Sequence, residues 1–312
     1  MIIDGHCHLV ADGWYPDSVV LGICAVMKDV VARSTGVSLE AADLAASFMP
    51  VLVDPTGEKL LAAMDAAGVG RACVFAVDYG LAIGGEPRVP VEEQNRVIAD
   101  LVGRHPDRLT AFFAIDPRRP DGLPMFQRAV EDWHMRGLKL YPPTGYFPHD
   151  PACYPYYRKC LEYGIPALFH TGSLPAPLKS RMGRPLHLDD VAADFPGLSI
   201  IMAHTGIAAW EEALEVAAVK PNVYLDFSGW QVTFLQTPSE FYRVLRRALD
   251  VVGPWRVFFG SDGPILNPLL PLDRWVLAFK DPDLSSCPQI TFTDDEKEII
   301  LGKAFARLMK LD

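Results

Sequence analysis

Apolar and polar residues follow two rhythms along this chain. Short runs rich in Val, Ile, Leu and Phe recur at Met1–Leu9, Ala72–Val77, Thr110–Ile115, Leu138–Tyr141, Ala167–His170, Ser199–His204, Val223–Phe227 and Val257–Ser261. Most are too short for helices and lack the polar alternation of a sheet wetted on one face. They predict strands buried on both faces. Helical spacing fills the intervals, at Glu58–Ala67, Val91–Arg104, Leu123–Arg136, Tyr156–Tyr163, Leu188–Asp194, Ala208–Val219, Glu240–Val252 and Leu272–Phe279. Thr56 is placed to cap the first of these. A last helix, Asp294–Leu311, opens on Thr293 with Glu296 three residues on, the pattern of a capping box.

Eight strands, each followed by a helix, predict an α/β fold, a single (β/α)8 TIM barrel with an insertion after strand one. A dinucleotide-binding sheet is the rival, and no glycine-rich fingerprint follows the first strand. The 312 residues suit one barrel domain. The insertion, 10–55, is expected to form a helical cap or entrance wall. Its Trp14, Tyr15, Phe48 and Met49 either line a pocket or pack the insertion down.

Composition narrows the partners. The formal charge is -10 and no Lys/Arg block stands out, so nucleic acid is not an expected partner. No run approaches the roughly 20 apolar residues of a membrane helix. Asp4, His6 and His8 interrupt the apolar start, so no secretory leader is expected. The six cysteines are scattered without a C-x-x-C pair, which argues against disulfide frameworks and zinc-thiolate sites. A small-molecule substrate and a cytoplasmic setting are the resulting expectations.

Candidate chemistry clusters at strand ends. In Asp4-Gly5-His6-Cys7-His8, strand alternation turns both histidines to one face, where two imidazoles suit a divalent metal. Lys139 lies on the fourth strand, His170 ends the fifth, His204 the sixth, and Asp262 follows the eighth. TIM-barrel active sites gather at the C-terminal ends of strands, so these residues share one mouth.

These motifs, taken in order with Asp-Phe-Pro-Gly-Leu before the His204 strand and Gly-Ser-Asp-Gly-Pro at the eighth, resemble the amidohydrolase superfamily. The likeness is strongest to its amidohydrolase 2 branch, which includes aminocarboxymuconate semialdehyde decarboxylase. The resemblance implies that His6, His8, His170 and Asp262 hold a divalent metal, with zinc expected and manganese as the alternative. His204 is then a catalytic acid/base or a ligand to a second metal. Lys139 lies in a segment similar to one in dihydroorotases, where the lysine is carboxylated and bridges two metals. A free Lys139 would instead meet a substrate carboxylate or the metal-bound hydroxide. One metal is preferred over two, and a homodimer is implied by the family alone.

The expected activity is hydrolysis of an amide, ester or lactone of a small, carboxylated cyclic or aromatic compound. Asp262 and His204 would handle the proton. Non-oxidative decarboxylation is the alternative, and a non-catalytic metal-containing barrel the third reading. Arg181 and Arg184 are candidates for a carboxylate clamp or for plain surface arginines. Trp230, Tyr141 and Tyr146 are candidates for an apolar wall, with Trp230 preferred.

Overall fold

The computed structural model describes residues 1–82 and 87–311. Its strands are β1 (Ile2–His8), β2 (Val69–Phe75), β3 (Leu109–Ala111), β4 (Phe113–Ala114), β5 (Leu138–Leu140), β6 (Ala167–His170), β7 (Ile200–Ala203), β8 (Val223–Asp226) and β9 (Val257–Phe258). All pair in parallel with their sequence neighbours, in the orders β1-β2-β3 and β4 through β9.

Two seams close these sheets into one barrel. At the first, β3 and β4 are halves of one strand: Phe112 N–H donates to Val74 O, and Phe113 N–H donates to Gly137 O. The third strand, expected to be continuous over Thr110–Ile115, is split because buried Asn95 replaces a ladder partner. Its amide accepts from Ala114 N–H and donates to Ala114 O. At the second seam, β9 and the residues after it pair with β1 through Gly5 N–H to Phe259 O and His8 N–H to Gly263 O. The architecture is the expected (β/α)8 barrel.

Strand alternation sorts side chains into two cores. Val74, Leu138, Leu140, Phe169, Met202, Leu225 and Phe259 face outward onto the helices. Ile3, Cys73, Phe75, Phe112, Leu168, Ile201 and Phe258 fill the barrel interior, and Ala304, Phe305 and Met309 plug its floor. The apolar filling ends where the inward positions become polar.

Several helix boundaries differ from the sequence-based expectation. The helix Glu58–Ala67 is capped by Gly57 in a left-handed conformation, not by Thr56; Asp54 Oδ2 accepts from Leu60 N–H. The capping box at Thr293 and Glu296 is present. The helix after it does not run evenly: a wider turn at Ile299–Lys303 interrupts it. Ile300 O there accepts from Phe259 N–H, a bond to the barrel wall that a regular helix would forgo.

The insertion after β1 holds helices α1 (Asp17–Thr35) and α2 (Ala41–Leu52). Val19 and Ile23 of α1 pack with Tyr15 against Val77, Tyr79, Tyr141, Leu174 and Leu178, on loops leaving three barrel strands. Gly22 permits this approach: a Cβ there would lie 1.9 Å from Ala176 O. Trp14 is buried in the core, whereas Tyr15 and Met49 border a cavity of about 670 Å³ between α1 and α2. No described helix is long and apolar enough to cross a membrane.

Candidate metal centre

The inward polar residues meet at the C-terminal end of the barrel. Cys7 packs outward while His6 and His8 turn in, and their Nε2 atoms lie 3.3 Å apart. Asp262 Oδ1 is 3.4 Å from His6 Nε2 and 3.3 Å from His8 Nε2. Among the described residues this trio is the cluster of ligand atoms able to hold a metal ion.

Hydrogen-bond directions set the tautomers. His6 Nδ1 lies 2.5 Å from Asp226 Oδ2, and His8 Nδ1 lies 3.1 Å from Phe75 O. Both partners accept, so each Nδ1 carries the proton and each Nε2 presents a lone pair. A chain of the same kind runs through the other histidines. His204 Nδ1 donates to Ser228 O at 3.2 Å, and His204 Nε2 accepts from His170 Nδ1 at 3.1 Å. His170 Nε2 is left as a buried lone pair with no partner among the described residues. Three imidazole lone pairs and a carboxylate thus lack internal satisfaction, and two of the lone pairs face each other at contact distance. Neutral rings in that arrangement repel unless a cation joins them, so the donor set fits a divalent metal.

Electrostatics favours the same protonation states. Burial lowers the pKa of His6, His170 and His204, keeping them neutral. Burial alone would raise Asp262, but positive charge among His204, His8 and His6 outweighs it and holds the carboxyl well below the usual range, and a metal ion between neutral rings would supply that charge instead. Burial raises Asp226 to about 6, opposed by His204 and the Ser228 N–H, and raises Asp4 to about 7. Asp4 ties β1 to the last strand by accepting from Ser261 N–H, Ser261 Oγ–H and His6 N–H.

Two of the central residues occupy left-handed backbone: His204 at φ 63° and Asp262 at φ 53°. Such conformations cost on the order of 1–3 kcal/mol each and persist where surroundings enforce them. Around His204, Trp230 Nε1 donates to His204 O, Thr205 Oγ1 donates to Asp226 O, and Thr171 Oγ1 accepts from Gly206 N–H. Gly229, at φ 78°, gives the imidazole room; a Cβ there would sit 2.7 Å from His204 Nδ1.

Lys139 points inward between outward Leu138 and Leu140. Its buried Nζ has no hydrogen-bond partner among the described residues and lies 4.6 Å from the Phe75 ring centre and 5.6 Å from that of Tyr141. Tyr141 also packs against His170, centroid to centroid at 4.4 Å, and against Tyr79 at 5.5 Å. Tyr141 therefore borders the centre.

Trp230 and Tyr146 do not. Trp230 is buried among Phe227 and Phe241, its indole spent on the His204 carbonyl. Tyr146 is buried, with its hydroxyl accepting from Tyr141 N–H. Arg181 and Arg184 are both exposed, and Arg184 pairs with Glu212. The arginine clamp is absent from this geometry because both side chains lie on the outer surface of the loop. Arg184→Ala is expected to leave substrate KM and metal content unchanged in steady-state kinetics and metal analysis; a large rise in KM would restore the clamp.

Asp226 escaped the sequence reading. Its signal was present: in Val223-Tyr224-Leu225-Asp226-Phe227 it is the polar residue at the inward register, flanked by two outward apolar side chains.

The family described as Amidohydrolase matches residues 3–311. Among curated proteins, the chain is 25% identical over 193 residues to 2-keto-4-carboxy-3-hexenedioate hydratase of Sphingobium sp., covering 54% of this chain and 56% of that protein. It is 29% identical over 105 residues to Protein fluG of Emericella nidulans, covering 34% of this chain and 12% of that protein. The chain thus spans little more than half of the one relative and about an eighth of the other. Solved structures match throughout. An uncharacterised TIM-barrel protein from Bordetella bronchiseptica superimposes with a TM-score of 0.69 at 21% identity, covering 99% of this chain and 98% of that one. A manganese-bound 5-carboxyvanillate decarboxylase from Novosphingobium aromaticivorans gives 0.69 at 16% identity, covering 100% and 97%. A 2,6-dihydroxybenzoate decarboxylase from Rhizobium gives 0.67 at 17%, covering 100% and 99%.

Proposed function

Because the chain belongs to the amidohydrolase family, we propose that it is a metal-dependent, non-oxidative decarboxylase of a small unsaturated or aromatic carboxylic acid. The observation that carries this reading is a buried ligand set enclosed by aromatic walls. The His6 side chain is fully buried, that of His8 is 7% exposed and that of Asp262 19%. Loss of carbon dioxide needs no attacking water and removes a charge from the substrate, and a dry site favours that change. Hydrolysis, the first expectation from sequence, needs room for a nucleophilic water and a leaving group. Decarboxylases with the same fold support the reordering.

His6, His8 and His170 through Nε2, with Asp262 through a carboxylate oxygen, are the proposed holders of one divalent ion. Manganese is favoured by analogy with the bound decarboxylase, and zinc is the alternative. Bound there, the ion would supply positive charge that fixes and polarises an acidic oxygen of the substrate. Asp262 stays ionised and holds its place. Phe75, Tyr79 and Tyr141 exclude water. His204 is the candidate proton carrier to carbon, taking up a proton at Nε2 once the bond from His170 Nδ1 opens. The carbon–carboxylate bond breaks, its electron pair stays on the carbon, the proton adds there, and carbon dioxide leaves.

The test is a screen of hydroxylated benzoates and unsaturated dicarboxylates with the manganese-loaded protein. Carbon dioxide is followed separately from ring opening. Chelator-sensitive release of carbon dioxide is expected; lactone or amide cleavage without it would sink the proposal. Asp226 enters through His6. Asp226→Asn is expected to weaken metal binding by about 10–100-fold, the range for a carboxylate that orients a ligating histidine. Competition with a metal-sensitive dye would measure it, and unchanged affinity would remove Asp226 from the centre.

A further inference from the structure

The donors of the metal centre are covered. His6, His170 and His204 are buried, and the side chains of His8 and Asp262 are 7% and 19% exposed. That leaves them almost closed to a ring-sized acid, so an element over the mouth must move for such a substrate to enter. The insertion after β1 is the element that lies there. Tyr15, just ahead of α1, begins a row of rings that leads down to the centre: Tyr15 to Tyr79 at 5.5 Å, Tyr79 to Tyr141 at 5.5 Å, and Tyr141 to His170 at 4.4 Å.

The insertion packs apart from the barrel. No described residue of 17–52 belongs to either barrel core, and Val19 and Ile23 sit in a small cluster of their own at the mouth. A segment outside the main cores opens at lower cost than the barrel itself. Its two ends are tethered side by side. Trp14 is buried in the barrel core before α1; after α2, Asp54 N–H donates to Val10 O and Asp54 Oδ2 accepts from Leu60 N–H. Lys59 Nζ donates to Pro50 O and Val51 O, which fixes the last turn of α2 near that point. Helices anchored at one edge and lightly seated at the other can swing as one body.

We propose that α1 and α2 form a hinged lid on the barrel mouth, which opens to admit substrate and closes by seating Tyr15, Val19 and Ile23 on the wall that reaches His170. The inference rests on where the metal centre lies and not on the reaction assigned to it.

Gly22 supplies the test. An added Cβ there would lie 1.9 Å from Ala176 O, a backbone atom that cannot rotate aside. Alanine is also the stronger helix former, so Gly22→Ala preserves α1 and obstructs its seating. Cys24 reports the result: it is buried between α1, α2 and Ile265. Its labelling by iodoacetamide is followed on the manganese-loaded protein, with peptide mapping to separate it from the other cysteines, all buried. In wild type Cys24 should react well before Cys73 of the barrel interior. Gly22→Ala should speed that reaction about tenfold or more, the scale of an overpacked contact. Capture of manganese by dipicolinate, a ring-sized chelator that must reach the ion, should quicken by a similar factor. Val26→Ala, on the exposed face of α1, should change neither rate. Wild-type Cys24 labelling as slow as that of Cys73 overturns the lid, because it marks opening only with the whole barrel. Manganese capture that stays unchanged while Cys24 labelling quickens also overturns it. If Gly22→Ala fails to fold, Val19→Ala, which trims the seat without a clash, is read against the same outcomes. A protein that holds no manganese would count against the metal centre, and the labelling comparison would still decide the lid.

Discussion

His170→Ala is expected to strip the protein of most of its divalent metal and to lower turnover by about 10³-fold or more. The argument runs through a chain of protons. Ser228 O fixes the proton on His204 Nδ1, His204 Nε2 then accepts from His170 Nδ1, and His170 Nε2 is left bare and buried. A ring held in that tautomer, with no partner for its lone pair among the described residues, has a metal as its natural complement. Asp262→Asn should act in the same direction, since it removes the anion that faces both His6 and His8. Metal analysis after dialysis, with circular dichroism to confirm folding, reads both. Full metal content in either variant would place the ion elsewhere. His204→Asn separates the parts: metal binding weakens by about 10–100-fold, as for Asp226→Asn, while turnover falls much further even when metal is supplied in excess.

Trp230→Ala is expected to destabilise the protein by about 3–5 kcal/mol, the cost of removing a large aromatic side chain from a packed core. The indole is 2% exposed, packs on Phe227 and Phe241, and donates to His204 O. That bond helps to hold His204 in its left-handed conformation. Trp230→Phe keeps most of the packing and loses the bond, so a smaller loss of stability, about 1 kcal/mol, should accompany a fall in kcat with little change in KM. Urea denaturation and steady-state kinetics measure the two effects. A variant of normal stability with a raised KM would return Trp230 to the substrate wall.

Much of the centre was legible because barrel strands obey a period of two. His6 and His8 straddle outward Cys7, and Lys139 sits between outward Leu138 and Leu140, so their direction followed from the apolar residues around them. Asp226 obeyed the same rule and was overlooked only because a lone aspartate at a strand end carries no motif. Loop residues lack such a rule. Arg181, Arg184 and Trp230 were nominated for their nearness to strand ends, yet a loop can turn a side chain outward to Glu212 or downward into the core. The breaks in regular structure depended on distant partners: Asn95 divides the third strand, and Phe259 draws the Ile300 carbonyl out of its helix. No local pattern reports a hydrogen bond to a residue so far along the chain.

The most direct measurement is the metal content of purified wild-type protein after manganese loading and removal of excess ion. One ion per chain, lost in His170→Ala and retained in Lys139→Met, is the predicted result. No tightly bound ion, or two ions that fall to one when Lys139 is replaced, would contradict the single metal centre built from His6, His8, His170 and Asp262.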